Sequence, residues 1–157
     1  MPEIRGLSVT RTAIDDLWVI SMKEVTDERG TVREFYRESA FRDLGLPSLG
    51  PWVQVNVTET RRGALRGLHA EDMFKLVAVV AGEAFGAYVD TRRDSATYGA
   101  VVTVALAPGT QVLVPKGVGN GFQTVSDEPT QYVYCFDHEW VPGMAGTAVN
   151  PLDPALG

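Results

Sequence analysis

The chain has 157 residues, 45% of them hydrophobic and 22% charged, with a formal net charge of −6. Those are values for one ordinary globular domain, residues 1–157, large enough to bury a core without disulfides or metals. No apolar run approaches the roughly 20 residues that span a bilayer, and no block of about five lysines and arginines occurs, so neither a membrane nor nucleic acid is an expected partner. The N-terminus lacks a basic segment followed by an apolar core and Cys135 has no partner in the chain, so a reducing cytoplasm is the expected compartment.

In chain order, residues 17–21 read as a strand, 26–30 as a turn with Gly30 available for positive φ, and 31–36 as renewed extended structure. Residues 39–45 form the one convincing helix, with Ser39 placed to cap it, Phe41 and Leu44 three apart, and Gly45 able to end it. From Trp52 onward strand-like segments recur about every ten residues with turn signals between them, the pattern of an all-β sandwich or barrel with one or two short helices. Residues 74–80 and 83–90, joined through Ala81-Gly82, predict a hairpin whose strands face each other. Residues 99–106 follow, and Pro108-Gly109-Thr110 turns the chain into 111–115. The glycine-rich stretch 115–122 has neither the Walker spacing nor a following helix to meet a phosphate, and is read as a tight sheet corner. Residues 131–136 alternate, placing Tyr132 and Tyr134 on one face and Val133 and Cys135 on the other.

Gly63-Ala64-Leu65-Arg66-Gly67-Leu68-His69 is the most site-like stretch. It joins a cation, glycines that let backbone approach a ligand closely, and one of two histidines, directly after the strand-like residues 52–58. Singly these features are weak, because Arg-Gly pairs close many turns and a lone histidine is commonly structural. Their weight comes from the residues that accompany them.

With Gln54, Asn56, Arg66, His69, Lys75, Asn120-Gly121-Phe122, Tyr134 and Asp153-Pro154 in view, the chain resembles the dTDP-4-dehydrorhamnose 3,5-epimerase family from about Asp27 to Leu156. Val53-Gln54-Val55-Asn56 followed by Arg66-Gly67-Leu68-His69 is the most specific part, supported by Val89-Asp90-Thr91-Arg92-Arg93 and Val114-Pro115-Lys116-Gly117. The resemblance implies a cupin-like jelly roll, usually a homodimer, that inverts stereocentres beside the 4-keto group of a nucleotide-diphosphate deoxysugar without metal or organic cofactor. It implies His69 as general base, supported by Asp153; Tyr134 as the acid; and Lys75 as donor to the developing enolate oxygen. Arg66 and Arg29 correspond to cations that meet the diphosphate, and Gln54 and Asn56 to polar lining of the pocket. Outside the resemblance, Tyr134 would be a core tyrosine, Lys75 a surface lysine, Asp153 a turn residue, and Gln54 or Asn56 partners for buried backbone.

The chain departs from the family pattern in places. Members usually carry a glutamine two residues after the histidine and a longer loop before the lysine, whereas Ala70-Glu71-Asp72-Met73-Phe74 is all that separates His69 from Lys75. Asn120 stands where most members have a histidine, an amide that hydrogen-bonds without carrying a proton. These changes to the pocket wall lead to the expectation that one carbon, rather than both C3 and C5, is inverted. His138 matches no catalytic position and is read as solvated or structural. A metal-dependent cupin would need more imidazoles than His69 and His138 supply. A sugar-nucleotide-binding protein that has lost catalysis, and an aldose ketoisomerase, are the other readings.

Overall fold

The computed structural model describes residues 1–47 and 51–156. The chain begins with β1 (Glu3–Arg5), β2 (Ser8–Arg11), β3 (Trp18–Ser21), β4 (Lys23–Asp27) and β5 (Gly30–Glu34), then the helix α1 (Glu38–Asp43). Its body is built by β6 (Gln54–Thr60), β7 (Leu65–Glu71), β8 (Lys75–Ala81), β9 (Ala84–Asp90), β10 (Val101–Leu106), β11 (Thr110–Val114), β12 (Val118–Thr124) and β13 (Thr130–Phe136). A short β14 (Gly146–Ala148) and a 3-10 turn, Pro154–Leu156, complete it. All neighbours pair antiparallel, in a six-stranded sheet ordered β2-β3-β11-β8-β13-β6, a five-stranded sheet ordered β10-β9-β12-β7-β14, and a small sheet ordered β1-β4-β5. The two large sheets face each other as the cupin-like jelly roll that the resemblance implies. Among the described residues no helix is long and apolar enough to cross a membrane.

The space between the sheets is filled by Val77, Val79, Val112 and Tyr132 from one wall and Ala84, Tyr88, Val118 and Phe122 from the other. The six-stranded sheet is also covered behind, where Leu76, Leu113 and Cys135 pack with Phe41 and Leu46 from the α1 region. Being covered on both faces explains why β8 reads as a continuous apolar run instead of an alternating one. Each such side chain, fully buried, contributes roughly 1.5–3 kcal/mol. The alternation on β13 is as the sequence predicts, with Tyr132 in the inter-sheet core and Cys135 in the cluster behind.

Several elements differ from the sequence reading. Residues 74–80 and 83–90 are not a hairpin: β8 pairs with β11 and β13, while β9 pairs with β10 and β12 in the opposite sheet. Gly82, at φ 79°, turns the chain from one wall of the sandwich to the other, and a two-residue glycine connection looks the same in sequence for either geometry. The glycine-rich corner is confined to residues 115–117, since from Val118 the chain is β12, paired on both sides. Ser39 does not cap α1; the N-cap is Arg37, whose side chain makes no capping bond, and Ser39 lies within the first turn. Phe41 is buried but Leu44 is exposed, so the helix rests on one apolar residue. β1, β2 and β14 lie in segments too short and polar to announce themselves as strands.

Asp90 closes β9 and fixes the loop that follows. Its buried carboxylate accepts bonds from the Arg92 backbone N–H (3.0 Å) and guanidinium (2.9 and 3.0 Å) and from the Ser95 and Thr97 hydroxyls (2.6 Å each). Burial alone would raise this carboxyl, but the donors from Arg92, Ser95 and Thr97 outweigh it and hold it well below the usual carboxylate range. A depressed folded-state value adds stability above the unfolded carboxyl value of about 3.9 and loses it as pH falls further. Asp90→Ala is therefore expected to lower the unfolding free energy at pH 7 by about 3 kcal/mol, as breaking a buried charge network does. In urea titrations the gap from wild type should narrow below pH 4 (about the carboxyl value above); a gap that is constant with pH would contradict the assignment.

Candidate active site

A cavity of about 520 Å³ opens between the two sheets at the end formed by β6, β13 and the start of β8 on one wall and β7 and β12 on the other. Gln54 and Asn56 enter from β6, Tyr134 and Phe136 from β13, and Lys75 from β8. Arg66, His69 and Glu71 come from β7, Asn120 and Phe122 from β12, and Trp140 from the segment after β13.

The arrangement of β7 depends on an irregularity. His69 pairs with Asn120, and Arg66 with Phe122, so three steps along β7 match two along β12. In a regular strand positions 66 and 69 would face opposite sides; the extra residue is a β-bulge that brings both to the cavity face, where Glu71 follows at the ordinary spacing of two. The bulge needs backbone to approach backbone. A Cβ on Gly67, at φ 117°, would lie 2.5 Å from Gly121 Cα, and one on Gly121 would lie 2.7 Å from the Arg66 carbonyl oxygen.

Supporting contacts hold the polar side chains. The Arg66 Nε donates to Thr60 Oγ1 at 2.8 Å. Gln54 donates to Asn56 Oδ1 at 3.2 Å and accepts the Trp140 backbone N–H at 2.7 Å, tying the Trp140 segment to β6. Tyr134 belongs to an aromatic ladder along one face of β13, 4.6 Å from Tyr132 and 6.0 Å from Phe136 between ring centres, with Tyr132 stacked on Phe122 at 4.0 Å. Burial pushes the Tyr134 phenol above its ordinary value, so it holds its proton through neutral pH.

Lys75, only 5% exposed, is not the surface lysine that composition would suggest. Its ammonium is ion-paired with Glu71, donates to Asn120 Oδ1 at 3.1 Å, and lies 5.8 Å from the centre of the Phe136 ring. Burial lowers its affinity for the proton while the Glu71 carboxylate opposes that shift. Glu71 is the functional candidate that sequence reasoning missed. Its signal is the spacing of two from His69 on a strand, since β7 runs to Glu71 where the sequence suggests a short loop over residues 70–74.

Of the predicted site residues, Gln54, Asn56, Arg66, His69, Lys75, Asn120 and Tyr134 converge on the cavity. Two do not line it. Arg29 sits at the β4–β5 turn, its side chain 85% exposed and bonded to Asp27 at 3.1 and 2.5 Å. Asp153 lies in the turn after β14, where its backbone N–H donates to the Asn150 carbonyl at 3.0 Å; the adjacent Leu152 and Leu156 line a separate groove with Leu65, Leu68, Phe85 and Ala87. His138 is exposed beside Asp137, as expected of a residue outside the site. Among the described residues no three His, Cys, Asp or Glu side chains are grouped to hold a metal.

Residues 11–157 match the family described as dTDP-4-dehydrorhamnose 3,5-epimerase. The chain belongs to that family. A relative of the same description from Methanothermobacter thermautotrophicus is 37% identical over 123 residues, which cover 75% of this chain and 65% of the relative, just under two thirds of its length. Among solved structures, dTDP-6-deoxy-D-glucose-3,5-epimerase from Legionella pneumophila, in complex with dTDP-4-keto-L-rhamnose, matches with a TM-score of 0.87 and 33% identity over 96% of this chain and 81% of its own. ChmJ, a 3'-monoepimerase from Streptomyces bikiniensis in complex with dTDP-quinovose, matches with a TM-score of 0.82 and 32% identity over 93% of this chain and 75% of its own. Family membership supports the jelly-roll reading of the sheets.

The close approach of β7 and β12 gives a direct test of how this family member shapes its cavity. Gly121→Ala is expected to cost about 1–3 kcal/mol, as overpacking does, and to displace Arg66. A thermal melt matching wild type would show that the bulge is not held as described.

Proposed function

We infer that this epimerase removes a proton beside the 4-keto group of a dTDP-4-keto-6-deoxyhexose and returns one from the opposite face, with His69 as base and Tyr134 as acid. The observation that carries this reading is that His69 and Tyr134 enter one cavity from opposite sheets, so that a sugar ring held between them meets a different proton carrier on each face. The C–H bond breaks, its proton passes to the His69 imidazole, and its electron pair becomes the enolate. The Lys75 ammonium donates to the oxygen where that charge develops. The Tyr134 O–H then protonates the carbon, and the enzyme resets as the His69 imidazolium releases its proton to solvent and the phenolate recovers one. Arg66, braced by Thr60, pairs with the diphosphate, and Gln54, Asn56 and Asn120 supply polar lining. No step calls for a cofactor. The buried free thiol of Cys135 suits a reducing cytoplasm.

Incubation with a dTDP-4-keto-6-deoxyhexose in deuterated water tests the chemistry, because enolisation exchanges the carbon-bound proton. His69→Asn should slow incorporation by about 10²–10⁴-fold, the usual contribution of a positioned base. Retention of more than roughly a tenth of the wild-type rate would remove His69 from that role. The labelled positions also count the carbons inverted: we propose one, given the short turn after Glu71 and the amide at Asn120, and prompt inversion at both C3 and C5 would overturn that.

We further propose a homodimer. Val55 and Val57 on the edge strand β6, with Val53 just before it, are 56%, 62% and 48% exposed, and Ile4 and Val32 of the small sheet are exposed at 64% and 73%. Apolar rows along a sheet edge are an association surface and an aggregation hazard unless covered. Arg29, on the same small sheet's hairpin, would then serve the partner's nucleotide. Sedimentation at micromolar protein should report a dimer, and Val55→Lys should shift it towards monomer; a fully active monomeric wild type would refute the arrangement.

A further inference from the structure

Glu71 is a second charge beside the groups that act on the sugar, and nothing in the proposed reaction so far uses it. It lies two residues beyond His69 on the same face of β7, at the end of the five-stranded sheet, while its partner Lys75 is the first residue of β8 in the six-stranded sheet. The ion pair therefore ties the two walls of the cavity together across the turn between those strands. An ammonium has three N–H donors and no acceptor. One is taken by Glu71 Oε2 and one by Asn120 Oδ1, in a place where the lysine is only 5% exposed. Two fixed acceptors stop rotation about the terminal C–N bond and leave one donor for the cavity.

We propose that Glu71 is a positioning residue: with Asn120 it clamps the Lys75 ammonium, keeps it charged, and aims its remaining N–H at the carbonyl oxygen that becomes the enolate. The inference rests on the epimerase reading above and adds to it a residue that acts through Lys75. A buried ammonium without a carboxylate beside it would release its proton near neutral pH, and a neutral amine is a far poorer donor to an enolate. Glu71 is the group that prevents this. The other charged or titratable groups lining the same space are Arg66 and His69 from β7 and Tyr134 from β13, while β12 contributes the uncharged Asn120 and β6 the uncharged Gln54 and Asn56. Asp137, beyond β13, is engaged by the Phe74 backbone N–H at 2.9 Å. Of these groups Glu71 is the carboxylate paired with the lysine. An amide at position 71 would still accept a bond but would supply no charge.

The charge state of Lys75 is read without substrate, from the ε-carbon resonance of the protein labelled with carbon-13 lysine. Lys23, Lys75 and Lys116 are the only lysines, so Lys75→Met assigns the signal. In wild type the Lys75 titration should fall on the alkaline side. In Glu71→Gln that titration should move down by about one pH unit or more, a tenfold change in proton affinity. The alkaline limb of the deuterium-exchange rate should move with it, while Glu71→Asp, which keeps the charge, should restore most of the shift. The same titration in a folded Glu71→Gln protein would overturn the clamp. A shifted titration with an unmoved alkaline limb would overturn its part in the reaction. Absence of exchange in wild type would defeat the epimerase reading instead, and leaves the titration standing as the test of the clamp.

Discussion

The site depends on one extra residue in β7. Without the bulge opposite Asn120 and Phe122, Arg66 and His69 could not share a face, and the cation proposed for the diphosphate would point away from the proposed base. The bulge in turn depends on Gly67 and Gly121, because only two backbones without Cβ atoms come as near as these do. The stretch that looked most like a site in the sequence is thus also where the sheet is least regular. A local loss of ladder regularity is tolerated because β7 and β12 are each paired on both sides and bury Leu68 and Phe122.

Around that irregularity the jelly roll supplies two rigid walls with different chemistry. The β13 wall is aromatic, and its ladder of Tyr132, Tyr134 and Phe136 holds the phenol between a tilted and a stacked ring. The β7 wall is ionic, carrying Arg66, His69 and Glu71 in sequence. Lys75 stands where the two meet, and its burial makes the Glu71 carboxylate a requirement of the charged state, since an isolated ammonium there would be costly. Binding of an anionic substrate by an acidic chain is consistent with this layout, because single placed cations, not net charge, face the cavity.

Much of this was legible in the sequence, for identifiable reasons. Strand spacing and turn signals gave an all-β sandwich, and the alternation at 131–136 placed Tyr134 on the cavity side because β13 is flanked on both edges and must obey the two-residue period. The ordered set from Gln54 to Tyr134 converged because each residue sits on a strand whose register is fixed by a buried face. What failed was what pairing alone decides. Ala81-Gly82 serves a crossing between sheets as well as a hairpin, and Gly119 and Gly121 belong to a central strand that glycine content disguised as a corner. Asp153 comes from the resemblance and not from spacing; it lies in the turn after β14, the strand that pairs with β7 at His69, while Glu71 is the carboxylate among the residues lining the cavity. Arg29 was also carried by resemblance, and it lies on a separate small sheet whose relation to the cavity a single chain does not supply.

The central claim is that two proton carriers act from opposite walls, and it is tested most directly by separating exchange from inversion. In deuterated water, Tyr134→Phe removes the acid but leaves the base. The account predicts that the substrate still takes up label next to the keto group, with its original configuration retained, while epimerised product falls by about 10²-fold or more. Inversion at the wild-type rate in Tyr134→Phe would contradict it, as would loss of label uptake to the same degree as loss of inversion.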